Sequence, residues 1–210
     1  MAVAALYDVH GNLAALDAVL AEVPDDAAIV VGGDICAGGD QPSETLARLR
    51  ALGDRVVWVR GNSDRELVEG EEGLASPEFL EGARAGLGQK EIEFLYGLPP
   101  TQRIDDVLYC HASPRNDLDI FTERTPEEHI AVLFEGLDVP TVVCGHTHTQ
   151  YERMVAGVRV VNAGSVGMPY EEEPGAYWLF DLVHRRTPYD GAELKATREE
   201  AVAEFTERGL

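Results

Sequence analysis

Ala2-Val3-Ala4-Ala5-Leu6-Tyr7-Asp8-Val9-His10-Gly11-Asn12-Leu13 opens the chain, and its reading decides the fold class. Ala2–Tyr7 is an apolar run short enough for a buried strand, ended by a charged residue. Gly11-Asn12 turns the chain into Leu13–Val23, where Leu13, Leu16, Val19, Leu20 and Val23 recur at helical spacing until Pro24-Asp25-Asp26 stops them. The same order of elements continues. Strand Ala28–Val31 ends in Gly32-Gly33-Asp34, amphipathic helix Ser43–Leu52 ends in Gly53-Asp54, and strand Val56–Val59 ends in Gly61. Strand, loop and helix in alternation predict parallel pairing and an α/β architecture. Ligands of such sheets bind at the carboxyl ends of the strands, where these polar motifs lie.

Working outward, Glu66–Pro100 is the least regular part of the chain, with short helices expected at Pro77–Arg84 and Gln89–Tyr96. It reads either as a cover over the site or as a solvated connection. Beyond Pro100 the pattern turns to short strands at Val107–Cys110, Thr141–Cys144, Tyr151–Val155, Val158–Val161 and Ala176–Phe180. A hairpin is expected through Ala156-Gly157, and helices near Pro126–Phe134 and Glu199–Arg208. No repeat, linker or shift in composition marks a boundary, so residues 1–210 are expected to form a single domain.

Four of the six histidines fall in short motifs that follow predicted strands. Asp8 and His10, two residues apart, can share one face, and so can His146 and His148 after the apolar Thr141–Cys144. His111 ends a further apolar strand, and Asn62 brings a neutral amide oxygen. Taken singly, each motif is also compatible with a capped turn or a plain strand end. Taken together, two carboxylates, four imidazoles and one amide supply donors for two cations if Asp34 bridges them. Mixed nitrogen and oxygen donors favour Mn, Fe, Co, Ni or Zn over Mg or Ca, with the exact metal open.

The formal charge is −21, from 38 acidic and 17 basic residues. Nucleic-acid affinity comes mainly from basic side chains that displace counterions, so stable polymer binding is excluded as an expectation. Two divalent cations would outweigh two carboxylates and a bridging hydroxide, so a small phosphate could still enter a locally cationic cleft. Cys36, Cys110 and Cys144 show no paired spacing and read as buried, reduced thiols, with metal ligation by Cys110 or Cys144 the minor alternative. No apolar run is long enough for a membrane span, and the first strand begins too early for a signal peptide. A cytoplasmic protein is expected, with room for a homo-oligomer.

The order Asp-x-His, Gly-Asp, Gly-Asn-x-Asp, His and Gly-His-x-His resembles the calcineurin-like metallophosphoesterases, in particular their small bacterial and archaeal phosphodiesterases. The resemblance spans roughly residues 3–181, and Asn162-Ala163-Gly164-Ser165 is similar to the family's late turn. It implies a four-layer αββα sandwich of two mixed β-sheets flanked by helices. It implies that Asp8, His10, Asp34 and His148 hold one metal, and Asp34, Asn62, His111 and His146 the second. Asp34, Asn62, Asp64 and His111 form the implied catalytic set, acting with a metal-bridging hydroxide on a phosphate ester.

One position departs from the family pattern. The family's usual leaving-group acid is a histidine at the place held here by Ser63, whose hydroxyl is far too weak an acid. Activity is therefore expected to favour substrates whose leaving groups need little protonation, such as aryl esters, with Asp64 left to cap the following turn. Arg60, Arg65 and Arg115 lie near the motifs and are candidate clamps for the substrate phosphate. His129 and His184 are expected at the surface, and Glu171–Glu173 in a solvated loop. The leading reading is a dinuclear phosphodiesterase acting on a small phosphate ester. A phosphoprotein phosphatase, a dinucleoside polyphosphate hydrolase and a non-catalytic scaffold on the same fold are the alternatives. A serine triad is disfavoured because Ser165 lacks the Gly-x-Ser-x-Gly elbow.

Overall fold

The computed structural model describes residues 1–70, 73–193 and 196–209. The chain begins β1 (Val3–Leu6), α1 (Leu13–Leu20), β2 (Ala28–Val31), α2 (Pro42–Arg50) and β3 (Val56–Trp58). Three helices follow: α3 (Asn62–Glu69), α4 (Pro77–Gly86) and α5 (Gln89–Tyr96). Next come β4 (Thr101–Ile104), β5 (Val107–Cys110), α6 (Glu127–Phe134), β6 (Thr141–Cys144), β7 (Gln150–Val155) and β8 (Val158–Ala163). The chain finishes with β9 (Ala176–Phe180), β10 (Val183–Thr187) and α7 (Arg198–Arg208).

The strands form two five-stranded mixed sheets, ordered β10-β9-β1-β2-β3 and β4-β5-β6-β8-β7. Side-chain alternation explains how they stack. On β1, Ala4 and Leu6 join a core with α1, α2, α4 and α5, while Ala5 and Tyr7 point the other way. β2 splits likewise, with Ile29 and Val31 outward and Val30 inward. On β6, Val142 and Cys144 face α6, while Val143 turns inward to join Ala5, Tyr7 and Val30. Three cores between four layers result, the αββα sandwich that the motif resemblance implies.

The parallel pairs β1·β2, β2·β3 and β5·β6 bring their carboxyl ends to one edge of the sandwich. Tyr7 crosses between the sheets there, its hydroxyl donating to the Val143 carbonyl at 3.1 Å. A side chain at Gly32 or Gly145 would collide with the Tyr7 ring, which accounts for the glycine in both flanking motifs.

Three elements differ from the sequence reading. Helix α3 starts directly at Asn62, and edge strands β4 and β10 were not expected. Of the irregular Glu66–Pro100 stretch, residues 71 and 72 lie outside the described residues. No helix among the described residues is long and apolar enough to cross a membrane. All three cysteines are buried and free.

Candidate metal centre

Asp8 follows β1, Asp34 follows β2, Asn62 opens α3, His111 follows β5, and His146 and His148 follow β6. Their backbones are unusual. Asp8, His10, Asp34, His146 and His148 all hold positive φ, between 51° and 67°. Non-glycine residues enter that region at a cost, and clustered strain of this kind collects at functional sites. Each loop bends sharply enough to turn its side chain back over the sheet edge.

Hydrogen bonds on the far side of each ring fix the tautomers. His10 Nδ1 faces the Ala37 carbonyl at 2.7 Å, His148 Nδ1 the Met168 carbonyl at 2.7 Å, and His111 Nδ1 the Gly32 carbonyl at 2.9 Å. A carbonyl only accepts, so each Nδ1 carries the proton and each Nε2 presents a lone pair. His10 Nε2 and His148 Nε2 nevertheless stand 3.2 Å apart. Asp8 Oδ1 lies 3.5 Å from His148 Nε2, fully buried and without any hydrogen-bond partner. His111 Nε2 faces the Asn62 Oδ1 and His146 Nδ1 atoms, both at 3.1 Å. Lone pairs and carboxylate oxygens aimed at one another in a dry pocket repel unless a cation lies between them. Donors about 2.0–2.2 Å from a metal stand roughly 3.0–3.6 Å from one another; these four spacings fall in that range, while Asp8 Oδ1 to His10 Nε2 is wider at 4.0 Å.

Asp34 joins the two halves. Its Oδ1 lies 3.6 Å from His111 Nε2, and its Oδ2 lies 3.9 Å from His10 Nε2. Asp8, His10 and His148 have donor atoms close enough to share one ion, and so do Asp8, Asp34 and His111. We assign Asp8 to the first group only. Its approach to His111 at 3.9 Å is to Nδ1, the nitrogen already bound to Gly32. The residues present therefore fit two divalent cations.

Electrostatics agree with this picture at Asp8, His10 and His146; at His111 burial lowers the ring but Asp34 and Asp8 outweigh it and raise it. Burial alone would raise the Asp8 carboxyl, yet His148, His111 and His10 hold it well below the carboxylate range. Burial, reinforced by neighbouring His148, lowers His10; burial, reinforced by His111, takes His146 down to about 4. Both rings are thus neutral and ready to ligate at neutral pH.

Positioning residues stand behind the donors, and of these Glu66 escaped the sequence reading. Asp64 is fully buried behind the cleft, not in it. Its carboxylate accepts the backbone N–H groups of Asp34 (2.9 Å), Ile35 (3.1 Å) and Gly61 (2.9 Å), so it ties two ligand loops together as well as capping α3. Burial and the adjacent Asp34 charge push it up to about 7. Glu66, also buried, accepts from Asn62 Nδ2, which turns the Asn62 oxygen toward His111. Asn162 donates to the Gly145 carbonyl and Ser165 to the Asp8 carbonyl, so the late turn braces both halves from below. Asn62 and Asp64 were visible as motif letters, whereas Glu66 carries no local signal.

The three candidate arginines lie outside the described cleft lining. Arg65 is held by Asp117 at 2.9 and 3.1 Å and by Glu69, because so acidic a surface captures a cation before a ligand can. Arg60 donates to the Tyr96 carbonyl and lies over the Tyr96 ring. Arg115 is exposed on the loop after β5. Glu171 is corrected: it is buried and receives Arg198 through two bonds of 2.7–2.8 Å, which docks α7. His129 is exposed as expected, while His184 is half-buried against the Asn162 carbonyl.

The cleft above the donors is lined by Ser63, Leu74, Ala75, Ser76, Phe79, Met168 and Tyr170, so part of the irregular stretch walls the site. Tyr170 stacks on the His148 ring at 5.1 Å. Ser63 is 1% exposed, and its hydroxyl has no partner.

The sequence profile of the calcineurin-like phosphoesterase superfamily domain matches residues 1–185. The chain belongs to that superfamily. Among calcineurin-like phosphoesterase folds, the metallophosphoesterase from Sphaerobacter thermophilus superposes with a TM-score of 0.74 at 24% identity, covering 98% of both chains. A Methanocaldococcus jannaschii protein is 26% identical over 209 residues, 85% of this chain and 82% of its own length. The symmetrical bis(5'-nucleosyl)-tetraphosphatase of Vibrio parahaemolyticus is 28% identical over 118 residues, 52% of this chain. That match spans 42% of the relative's length. The two mixed sheets with flanking helices are this superfamily's architecture.

Proposed function

We propose that this chain is a single-domain, dinuclear metal-dependent phosphoesterase, acting chiefly on phosphodiesters, with manganese the favoured metal. One observation carries the reading: imidazole lone pairs and an unpartnered carboxylate oxygen converge at 3.1–3.9 Å in a buried pocket, with Asp34 facing both groups. Asp8, His10, Asp34 and His148 would hold one cation, and Asp34, Asn62, His111 and His146 the other. When bound, the pair supplies Lewis acidity toward the phosphoryl oxygens and a water acidic enough to attack phosphorus at neutral pH.

The chain's own residues do the rest. The carbonyls of Ala37, Met168 and Gly32 lock three rings in the ligating tautomer. Leu74, Ala75, Phe79 and Met168 keep the cleft dry on one side, which strengthens every charge interaction within it. Burial would raise the Asp8 carboxyl, but the neighbouring imidazoles outweigh it and keep Asp8 an acceptor. Ser63 reaches the cleft but cannot act as the acid, so solvent must protonate the departing alcohol. A non-catalytic scaffold would have no use for the complete donor set, which favours an enzyme.

The second reading, a dinucleoside polyphosphate hydrolase, is supported by the 28% identity to the tetraphosphatase. The test is turnover of bis-p-nitrophenyl phosphate and p-nitrophenyl phosphate with Mn, Fe, Co, Ni and Zn in turn. His148→Ala serves as the control and should lose at least about 10²-fold. Stoichiometric metal binding without turnover of any ester would refute the reading.

A further inference from the structure

Beside the metal centre lies a second cavity, of about 370 Å³, that shares His10 and Met168 with the catalytic cleft. Its character differs from that of the cleft. Asp40, Gln41, Tyr189 and Glu193 line it, together with five glycines on four loops, Gly11, Gly38, Gly39, Gly167 and Gly191. The Tyr189 hydroxyl accepts from Asn12 Nδ2 at 3.0 Å, so its own proton remains available to a ligand. Asp40 and Glu193 present two carboxylates, which can only accept hydrogen bonds when ionised. Among the described lining residues there is no lysine or arginine.

We infer that this cavity receives the alcohol arm of the ester held at the metal centre, and that its two carboxylates select a hydroxylated, uncharged arm while rejecting one that carries a further phosphate. The inference rests on the phosphoesterase reading above and narrows its substrate class to diesters with a single phosphorus and a polyol arm. Hydroxyl groups satisfy the carboxylates, and the Tyr189 hydroxyl supplies a matching donor. A second phosphate would face Asp40 and Glu193 with no lysine or arginine among the described lining residues to offset them. A polyphosphate chain, the substrate class in the tetraphosphatase's name, is disfavoured by the same lining.

The test uses two p-nitrophenyl diesters that differ only in the second alcohol, glycerol or glycerol phosphate, with release of p-nitrophenolate as the signal. Wild-type kcat/KM should favour the glycerol diester by at least about tenfold, the scale of like-charge repulsion partly screened by solvent. In Asp40→Asn/Glu193→Gln that ratio should fall to about threefold or less, chiefly through KM for the anionic diester. Because the ratio is taken within one preparation, partial misfolding of the variant does not distort it. A second measurement needs no variant: raising the salt about tenfold should shrink the wild-type ratio. Equal wild-type rates on both diesters, or a preference unchanged by variant and salt, would overturn the inference while leaving the phosphoesterase reading intact. Failure to cleave these diesters and bis-p-nitrophenyl phosphate alike would overturn both.

Discussion

Glu66→Gln is the substitution that separates positioning from ligation most cleanly. The Glu66 carboxylate accepts three N–H groups: Asn62 Nδ2 at 3.2 Å and Leu74 N at 3.1 Å on Oε1, and Ala75 N at 2.9 Å on Oε2. Glutamine keeps only one oxygen. With that oxygen in the Oε1 position, its amide N–H₂ opposes the Ala75 N–H, and one charge-assisted bond is lost at a cost of about 1.5–3 kcal/mol. The two retained bonds fall from charged to neutral strength, a further loss of roughly 1 kcal/mol in sum, and relief of a buried charge returns part of this. The net expectation is about 3 kcal/mol, or a Tm lowered by roughly 6–12 °C in a domain of this size. The effect on the metals should be one-sided. Asn62 serves only the group with His111, so affinity there should drop about 10–100-fold while the site of His10 and His148 changes little. Differential scanning calorimetry and calorimetric metal titration measure both. A Tm within about 2 °C of wild type, or equal weakening of both sites, would refute the reasoning.

Gly61→Ala would drive a Cβ into the Asp34 carboxylate and its backbone N–H, so metal content by elemental analysis should fall while far-UV circular dichroism stays near native. With Ser63 at the acid position, rates should depend steeply on leaving-group pKa, and Ser63→His should raise alkyl-ester rates by about 10–100-fold; a flat wild-type dependence would contradict this. Burial would raise the Asp117 carboxyl, but Arg65 outweighs it and holds the group below its ordinary 3.8. The pair's contribution is therefore fully present above pH 3.8 and lost as pH falls below it. Acid unfolding should show that loss in the wild type and lack it in Asp117→Asn. Arg65→Gln, for its part, should leave KM for p-nitrophenyl esters within about twofold, because its guanidinium is committed to Asp117.

The parts of this structure that could be read in the sequence are those written in side-chain period. The β1–α1–β2 unit, the hairpin at Ala156-Gly157 and helix α5 follow from apolar spacing and turn residues, and each lies where expected to within a few residues. Helix α3 was missed because Asn62-Ser63-Asp64-Arg65-Glu66-Leu67-Val68-Glu69 has almost no apolar face. Buried polar contacts of Asn62, Asp64 and Glu66 hold it instead. Strands β4 and β10 are edge strands with charged residues, such as Arg103 and Arg185-Arg186, which blunt an open edge and erase the alternation. At the site, the motif letters pointed to the donors because metal ligation restricts residue type. The placement of the arginines was not legible, because proximity in sequence says nothing of which acid binds a guanidinium in a chain of charge −21. Glu66 and Glu171 were invisible because their partners are backbone groups and distant loops.

The most direct measurement is a calorimetric and paramagnetic-resonance titration of metal-depleted protein with Mn²⁺, in wild type and Asp34→Asn. We expect two equivalents per chain, a spin-coupled signal when both are bound, and weakened binding of both once Asp34 loses its second oxygen. One equivalent or none, or two uncoupled ions indifferent to Asp34→Asn, would contradict the account.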